Sequence, residues 1–207
     1  MSALKRALDA PRWVVWGSRT VLRSARELIT IFRGGGLADA IEPWMRIDRV
    51  DDVPFDAIAA SGTKAVLFDL ENTIIPPGGP FDDGGRTIIG KARAAGLEVG
   101  VVSNASAAWV GTALAAEGIP GIAPAGKPAK DAFLAACEMV GVEPRDAVYV
   151  GDQVITDVLG SQRAGLRAVL VKPKYTKEFR SAKFQRLVAR IVIRIAGKPS
   201  SAERKVD

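Results

Sequence analysis

Asp69 and Glu71 stand two residues apart in FDLENTIIPP, directly after a short apolar run and just ahead of two prolines. Other reactive groups have similar settings. Ser103 and Asn104 close LEVGVVSN, Asp152 and Asp157 follow AVYVG, and Lys127 lies in GKP ahead of a helix-forming stretch. Clustered carboxylates repel one another and are tolerated where a divalent cation or a lysine offsets them. Hard oxygen donors without His or Cys suit Mg2+. A Mg2+ site that also offers a lysine and backbone N–H donors handles phosphoryl groups, by positioning and charge neutralisation. Asp69 is then the natural nucleophile, a carboxylate aimed in line at phosphorus to form an aspartyl phosphate. Glu71 would protonate the leaving oxygen and later deprotonate water.

For this chemistry the separate segments must meet at one place, and the hydrophobic patterning supplies a way. TKAVLFDL (63–70), LEVGVVSN (97–104), DAVYVGD (146–152) and LRAVLV (166–171) read as buried strands. Helices are expected over 86–96, 106–117, 131–141 and 154–164, with GIPGIAPAGKP as a Pro/Gly-rich connection. Alternating strands and helices predict an α/β fold with a doubly wound parallel sheet, whose ligands bind at the carboxyl ends of the strands. Asp69, Ser103 and Asp152 all fall at such ends. Gly121 to Pro128 imitates a phosphate-binding Walker loop up to its lysine, but Pro128 stands where a Ser or Thr would hold Mg2+.

FDLENTI, VVSNAS, GKP and VGDQVITD resemble, in order and spacing, the four motifs of haloacid dehalogenase-type (HAD) phosphatases, over roughly 40–175. The lead-in from EPWMRIDRVDD and the run VGDQVITDVLGSQRAG are similar to the capless class IIIA, YqeG-type subfamily, itself similar to the mitochondrial phosphatidylglycerophosphatase. The resemblance implies a HAD-like fold without a cap domain. It implies that Asp69, the backbone carbonyl of Glu71 and Asp152 hold Mg2+. Thr73 would steady the nucleophile loop, Ser103 and Asn104 would bind the phosphoryl group, Lys127 would neutralise it, and Asp157 would orient the metal's waters or Lys127. The family pattern has Asp where this chain has Glu71. That extra methylene leaves two outcomes open: a working acid/base on a longer arm, or a slow or silent site that still binds phosphate.

Composition removes several rival chemistries. The 207-residue chain has no His and one cysteine, Cys137. Nucleophiles activated by imidazole and the usual His-ligated zinc sites are therefore excluded within this chain. Cys137 lacks the following Arg that a cysteine-based phosphatase needs and reads as a buried helical residue.

Charge is segregated along the chain. Residues 1–33 carry seven Lys/Arg and two acids, 172–207 carry eleven and three, and 34–171 carry eleven and eighteen. Between Pro11 and Arg33 the arginines oppose an apolar face, which predicts a basic amphipathic helix ended by the glycines at 34–36. Lys183, Arg186, Arg190 and Arg194 oppose Phe184, Val188, Ile191 and Ile195, predicting a second. The division expected is an arm over 1–36, a phosphatase domain over 37–175, and a C-terminal helix and tail over 176–207. Such arms suit either packing on the domain or an anionic membrane surface. Few aromatics accompany the basic stripes, which disfavours nucleic acid. With no stretch long enough to span a membrane and no signal peptide, a cytoplasmic protein, peripheral to the membrane, is expected. The substrate expected is a phosphorylated lipid head group such as phosphatidylglycerophosphate. A small sugar or nucleotide phosphate and a non-catalytic binding module are the alternatives.

Overall fold

The computed structural model describes Trp13–Val14 and residues 41–175. In chain order the strands are β1 (Trp13–Val14), β2 (Met45–Ile47), β3 (Ala65–Phe68), β4 (Glu98–Val102), β5 (Gly121–Ile122), β6 (Ala147–Gly151) and β7 (Arg167–Val171). The helices are α1 (Phe55–Ala60), α2 (Asp83–Ala94), α3 (Ala107–Glu117), α4 (Asp131–Met139) and α5 (Gly160–Arg163), the last continuing a π-helical turn over Val154–Leu159. All strand pairs are parallel, in the order β1-β5-β4-β3-β6-β7-β2.

Strand order reverses at β3, which lies between β4 and β6. A crevice opens at such a reversal because the connections leave for opposite faces of the sheet. Register places Phe68 beside Val101 and Val150, so the residues that follow emerge together at one edge.

The period-2 alternation of the central strands divides the core. Val66, Phe68, Val99, Val101, Val148 and Val150 join Phe55, Ile58, Ile88 and Leu114 from α1, α2 and α3. Ala65, Leu67, Val102, Ala147 and Tyr149 join Ala132, Phe133 and Cys137 from α4. Strands buried on both faces must be apolar throughout, which is why these read as unbroken hydrophobic runs. The Cys137 thiol is pushed up to about 11, chiefly by burial, so it is an inert core group.

The described segments depart from the sequence expectations in four places. Trp13–Val14 pair with Gly121–Ile122 as an edge strand, where a helix over Pro11–Arg33 was expected; aromatic and β-branched residues favour the extended form when a sheet edge is available. The rest of both arms, including the expected helix around Lys183–Ile195, lies outside the described residues. The connection GIPGIAPAGKP contains β5, and β2 pairs with β7. The expected helix over 154–164 begins as a π-helical turn.

Candidate active site

Asp69 is the first residue beyond β3, and its N–H donates to the Val150 carbonyl at 2.9 Å. That bond anchors it to β6, whose own exit carries Asp152. Asp157 returns from the π-helical turn toward the same strand end. Its Oδ2 accepts the Gln153 N–H at 2.9 Å, and a Cβ on Gly151 would lie 2.5 Å from its carboxyl. Glycine at the end of β6 is thus required for Asp157 to come so close. One oxygen from each of Asp69, Asp152 and Asp157 lies within 4.8 Å of the others, and all three residues are buried.

Lys127 reaches this cluster from the β5–α4 connection. Its Nζ donates to Asp69 Oδ1 at 2.7 Å, to Asp157 Oδ1 at 2.7 Å and to Tyr149 Oη at 2.8 Å. An ammonium has three N–H donors, and all three are used. Its main chain is held by Asn104, whose Oδ1 accepts the Lys127 N–H at 2.8 Å and whose Nδ2 donates to the Lys127 carbonyl at 3.2 Å. The amide of Asn104 acts here as a peptide partner for the lysine. Ser103 is buried, and its Oγ accepts the Ala105 N–H at 3.2 Å at the entry to α3.

Burial and like charge set the electrostatics. The Asp69 carboxyl is raised to about 6, first by burial and also by the Asp157 charge, against the pull of Lys127. Burial alone would lower Lys127, but the Asp157 and Asp69 carboxylates outweigh it and hold the ammonium well above the ordinary lysine range. Three carboxylates around one ammonium leave an excess of negative charge in a poorly solvated place. The donor set, with hard oxygens and neither His nor Cys, therefore fits a divalent cation such as Mg2+. Asp69, Asp152 and Asp157 are the carboxylates that could hold it, with Asp69 and Asp157 sharing Lys127.

Glu71 is not among the carboxylates that converge here, and Thr73 follows it in the next turn. The chain turns tightly after Asp69, with the Ile74 and Ile75 N–H groups both donating to the Leu70 carbonyl at 3.1 Å and Asn72 at φ 63. Glu71 Oε1 accepts the Gly78 N–H at 3.0 Å, so its carboxylate points along the following loop. Thr73 is fully buried, and its hydroxyl makes no hydrogen bond among the described residues. Between Asp69 and Ser103 the chain forms only this turn, its loop, α2 and β4, and no cap is inserted there.

Sequence reasoning missed Tyr149. It is fully buried, and its hydroxyl donates to the Val102 carbonyl at 2.9 Å while accepting from Lys127. A tyrosine inside an otherwise aliphatic strand was the available signal, because a buried phenol must find a polar partner.

The probable phosphatase YqeG of Bacillus subtilis (strain 168) is 33% identical over 132 residues, 63% of this chain and 76% of that protein. The chain belongs to the HAD-like phosphatases. The HAD-hydrolase-like family model matches residues 124–191, a stretch that includes Lys127, Asp152 and Asp157. Xenopus laevis phospholysine phosphohistidine inorganic pyrophosphate phosphatase is 45% identical over 47 residues, 23% of this chain and 17% of its own length. Among solved structures, a HAD-superfamily hydrolase from Ehrlichia chaffeensis aligns over 62% of this chain and 97% of its own, with 14% identity and a TM-score of 0.44.

Proposed function

We propose that this HAD-like phosphatase hydrolyses a phosphomonoester through an aspartyl phosphate on Asp69. The observation that carries the reading is the buried Lys127 ammonium, 2.7 Å from both Asp69 and Asp157 at the carboxyl ends of the central strands. An Asp69 oxygen attacks phosphorus and the phosphorus–oxygen ester bond breaks. The departing oxygen takes a proton from Glu71, which must release the Gly78 N–H to reach it. Water then gives a proton back to Glu71 and attacks phosphorus, releasing inorganic phosphate and restoring the Asp69 carboxylate. Lys127 offsets the charge of the transferring group, and Asp157 keeps Lys127 aimed. Ser103 and Asn104 border the phosphoryl position, Asn104 by holding Lys127, and Thr73 packs within the nucleophile turn. Mg2+ held by Asp69, Asp152 and the Glu71 carbonyl would supply further charge neutralisation and alignment.

The proposed substrate is a lipid head group such as phosphatidylglycerophosphate, met by a cytoplasmic protein lying on an anionic membrane surface. A site without a cap leaves room for a substrate whose bulk stays outside, and the basic residues at both ends of the chain complement anionic lipid. One observation favours a second reading, a silent phosphate-binding module: the Glu71 carboxylate is engaged by the Gly78 N–H. The two are separated by Mg2+-dependent phosphate release from phosphatidylglycerophosphate in anionic micelles, with a soluble aryl phosphate alongside, for wild type, Asp69→Asn and Glu71→Asp. Lipid-preferring turnover that Asp69→Asn abolishes is the expected result. Turnover that appears only in Glu71→Asp would establish the silent module, and equal rates on the aryl phosphate would remove the lipid.

A further inference from the structure

Every donor of the Lys127 ammonium has a named acceptor, and two of the three are groups that the chemistry itself alters or engages. Asp69 loses its negative charge when it becomes an acyl phosphate, and Asp157 shares its cluster with the carboxylates suited to a cation. Tyr149 is the neutral acceptor. Lysine carries its charge on a flexible four-carbon stem with three rotatable donors, so it is fixed only as well as its acceptors are. We infer that Tyr149 is a positioning residue of the phosphatase reaction, holding Lys127 on the phosphoryl position while Asp69 passes between carboxylate and phosphoester; the inference rests on the phosphatase reading above.

The tyrosine is well placed for this. It lies in β6, fully buried, with its ring edge-on to Phe133 of α4 at a centroid distance of 4.9 Å. Its hydroxyl proton goes to the Val102 carbonyl at the end of β4, at 2.9 Å, so a lone pair is left for Lys127 at 2.8 Å. The contact to Asp157 Oδ1 is longer, at 3.5 Å, and does not compete for that proton. Burial, followed by the charges of Asp157, Asp69 and Asp152, pushes the phenol well above its ordinary range, so it remains a donor to Val102 at any working pH. Lys127 Nζ also lies 5.4 Å from the ring centroid, within the range of cation–π attraction. One side chain thus ties the ends of β4 and β6 to a lysine that arrives from the β5–α4 connection. Removing its oxygen would take away one acceptor of Lys127 and one donor to the Val102 carbonyl, while keeping the ring.

The test compares wild type, Tyr149→Phe and Phe133→Leu. Phe133→Leu disturbs the packing of the ring and leaves the hydroxyl in place. Orthovanadate binding with Mg2+ is measured by calorimetry, and kcat and KM are measured on an aryl phosphate well below the melting temperature. Tyr149→Phe is expected to weaken vanadate binding about tenfold and to lower kcat about tenfold with KM within twofold, the size of effect expected from one lost hydrogen bond to a charged group. Phe133→Leu should lower the melting temperature and leave vanadate affinity within twofold. Vanadate affinity unchanged in Tyr149→Phe, equal losses in both variants, or no vanadate binding by wild type would each overturn the assignment. Tyr149-dependent vanadate binding in a wild type without turnover would sustain the positioning role and remove the catalytic reading instead.

Discussion

Lys127 and Lys174 both donate from Nζ to aspartate, at 2.7 Å to Asp69 and Asp157 in one case and at 3.1 Å to Asp51 in the other. The Lys127 side chain is 3% exposed and that of Lys174 is 17% exposed, with Asp51 at 29%. Around Lys127 the carboxylates outnumber the ammonium and are cut off from water. Around Lys174 the contacts are of mixed kinds: its main-chain N–H donates to the Asn72 carbonyl at 2.7 Å, and the neighbouring Tyr175 hydroxyl donates to Asp82 at 2.6 Å. Asp82 in turn caps α2 by accepting the Gly85 N–H at 2.7 Å. The segment after β7 is therefore a strap, fastened to the turn after Asp69 by main chain and to α2 through a cap. Similar ion-pair lengths serve different ends because the surrounding dielectric differs. In the buried cluster an unbalanced charge is costly and chemically useful; at the strap, water screens it.

Asp69→Asn is the sharpest probe of the buried side. If Asp69 is the nucleophile, as proposed, its loss should reduce turnover by about 10⁴-fold or more. Stability should move the other way. With its folded pKa raised to about 6, above the unfolded value, Asp69 takes up protons on folding, so its own contribution to wild-type stability is fullest below about pH 4 and is lost as pH rises through 6. The asparagine has no such dependence. In the presence of a chelator, the advantage of Asp69→Asn over wild type should open between about pH 4 and 6 and level off above, as read by urea denaturation at a series of pH values.

Lys127→Met should cost about 3–5 kcal/mol of stability at pH 7, since it strands two buried carboxylates, along with most of the activity. Asp82→Ala comes next, at about 1 kcal/mol for a lost helix cap. Asp82 is partly exposed, and the Tyr175 and Gly85 hydrogen bonds outweigh the effect of burial and lower its carboxyl. Its contribution is present above its unfolded pKa and is lost as pH falls through the folded value. The gap between Asp82→Ala and wild type should therefore narrow below about pH 4 in the same denaturation series. Lys174→Met should have the smallest effect, under about 1 kcal/mol, reduced further by salt. A cost for Lys174→Met equal to that for Lys127→Met would collapse the contrast between the two lysines.

Much of this organisation was legible in the residues. The four central strands declared themselves because strands covered on both faces must be apolar, and three of them end in a polar group, Asp69, Ser103 or Asp152, that an apolar run does not otherwise supply. β2, β5 and the pairing of Trp13–Val14 were not legible, because segments of two or three residues carry too little periodicity and become strands only against a partner edge. Asn104 shows the same limit within the site. Its position after β4 marked it as a candidate, but that it grips the Lys127 backbone depends on a connection 23 residues away in sequence.

The sequence by itself determined the class of fold and the family, and it singled out Asp69, Lys127, Asp152 and Asp157 as candidates that the fold brings together, because motif chemistry and strand ends are local properties. Tertiary structure alone decided that Lys127 spends all three donors, that Tyr149 receives one of them, and that the Glu71 carboxylate lies at Gly78. Those facts depend on which donors and acceptors meet across separate strands and loops, and a hydrogen bond a few ångströms long leaves no trace in the spacing of the residues that make it.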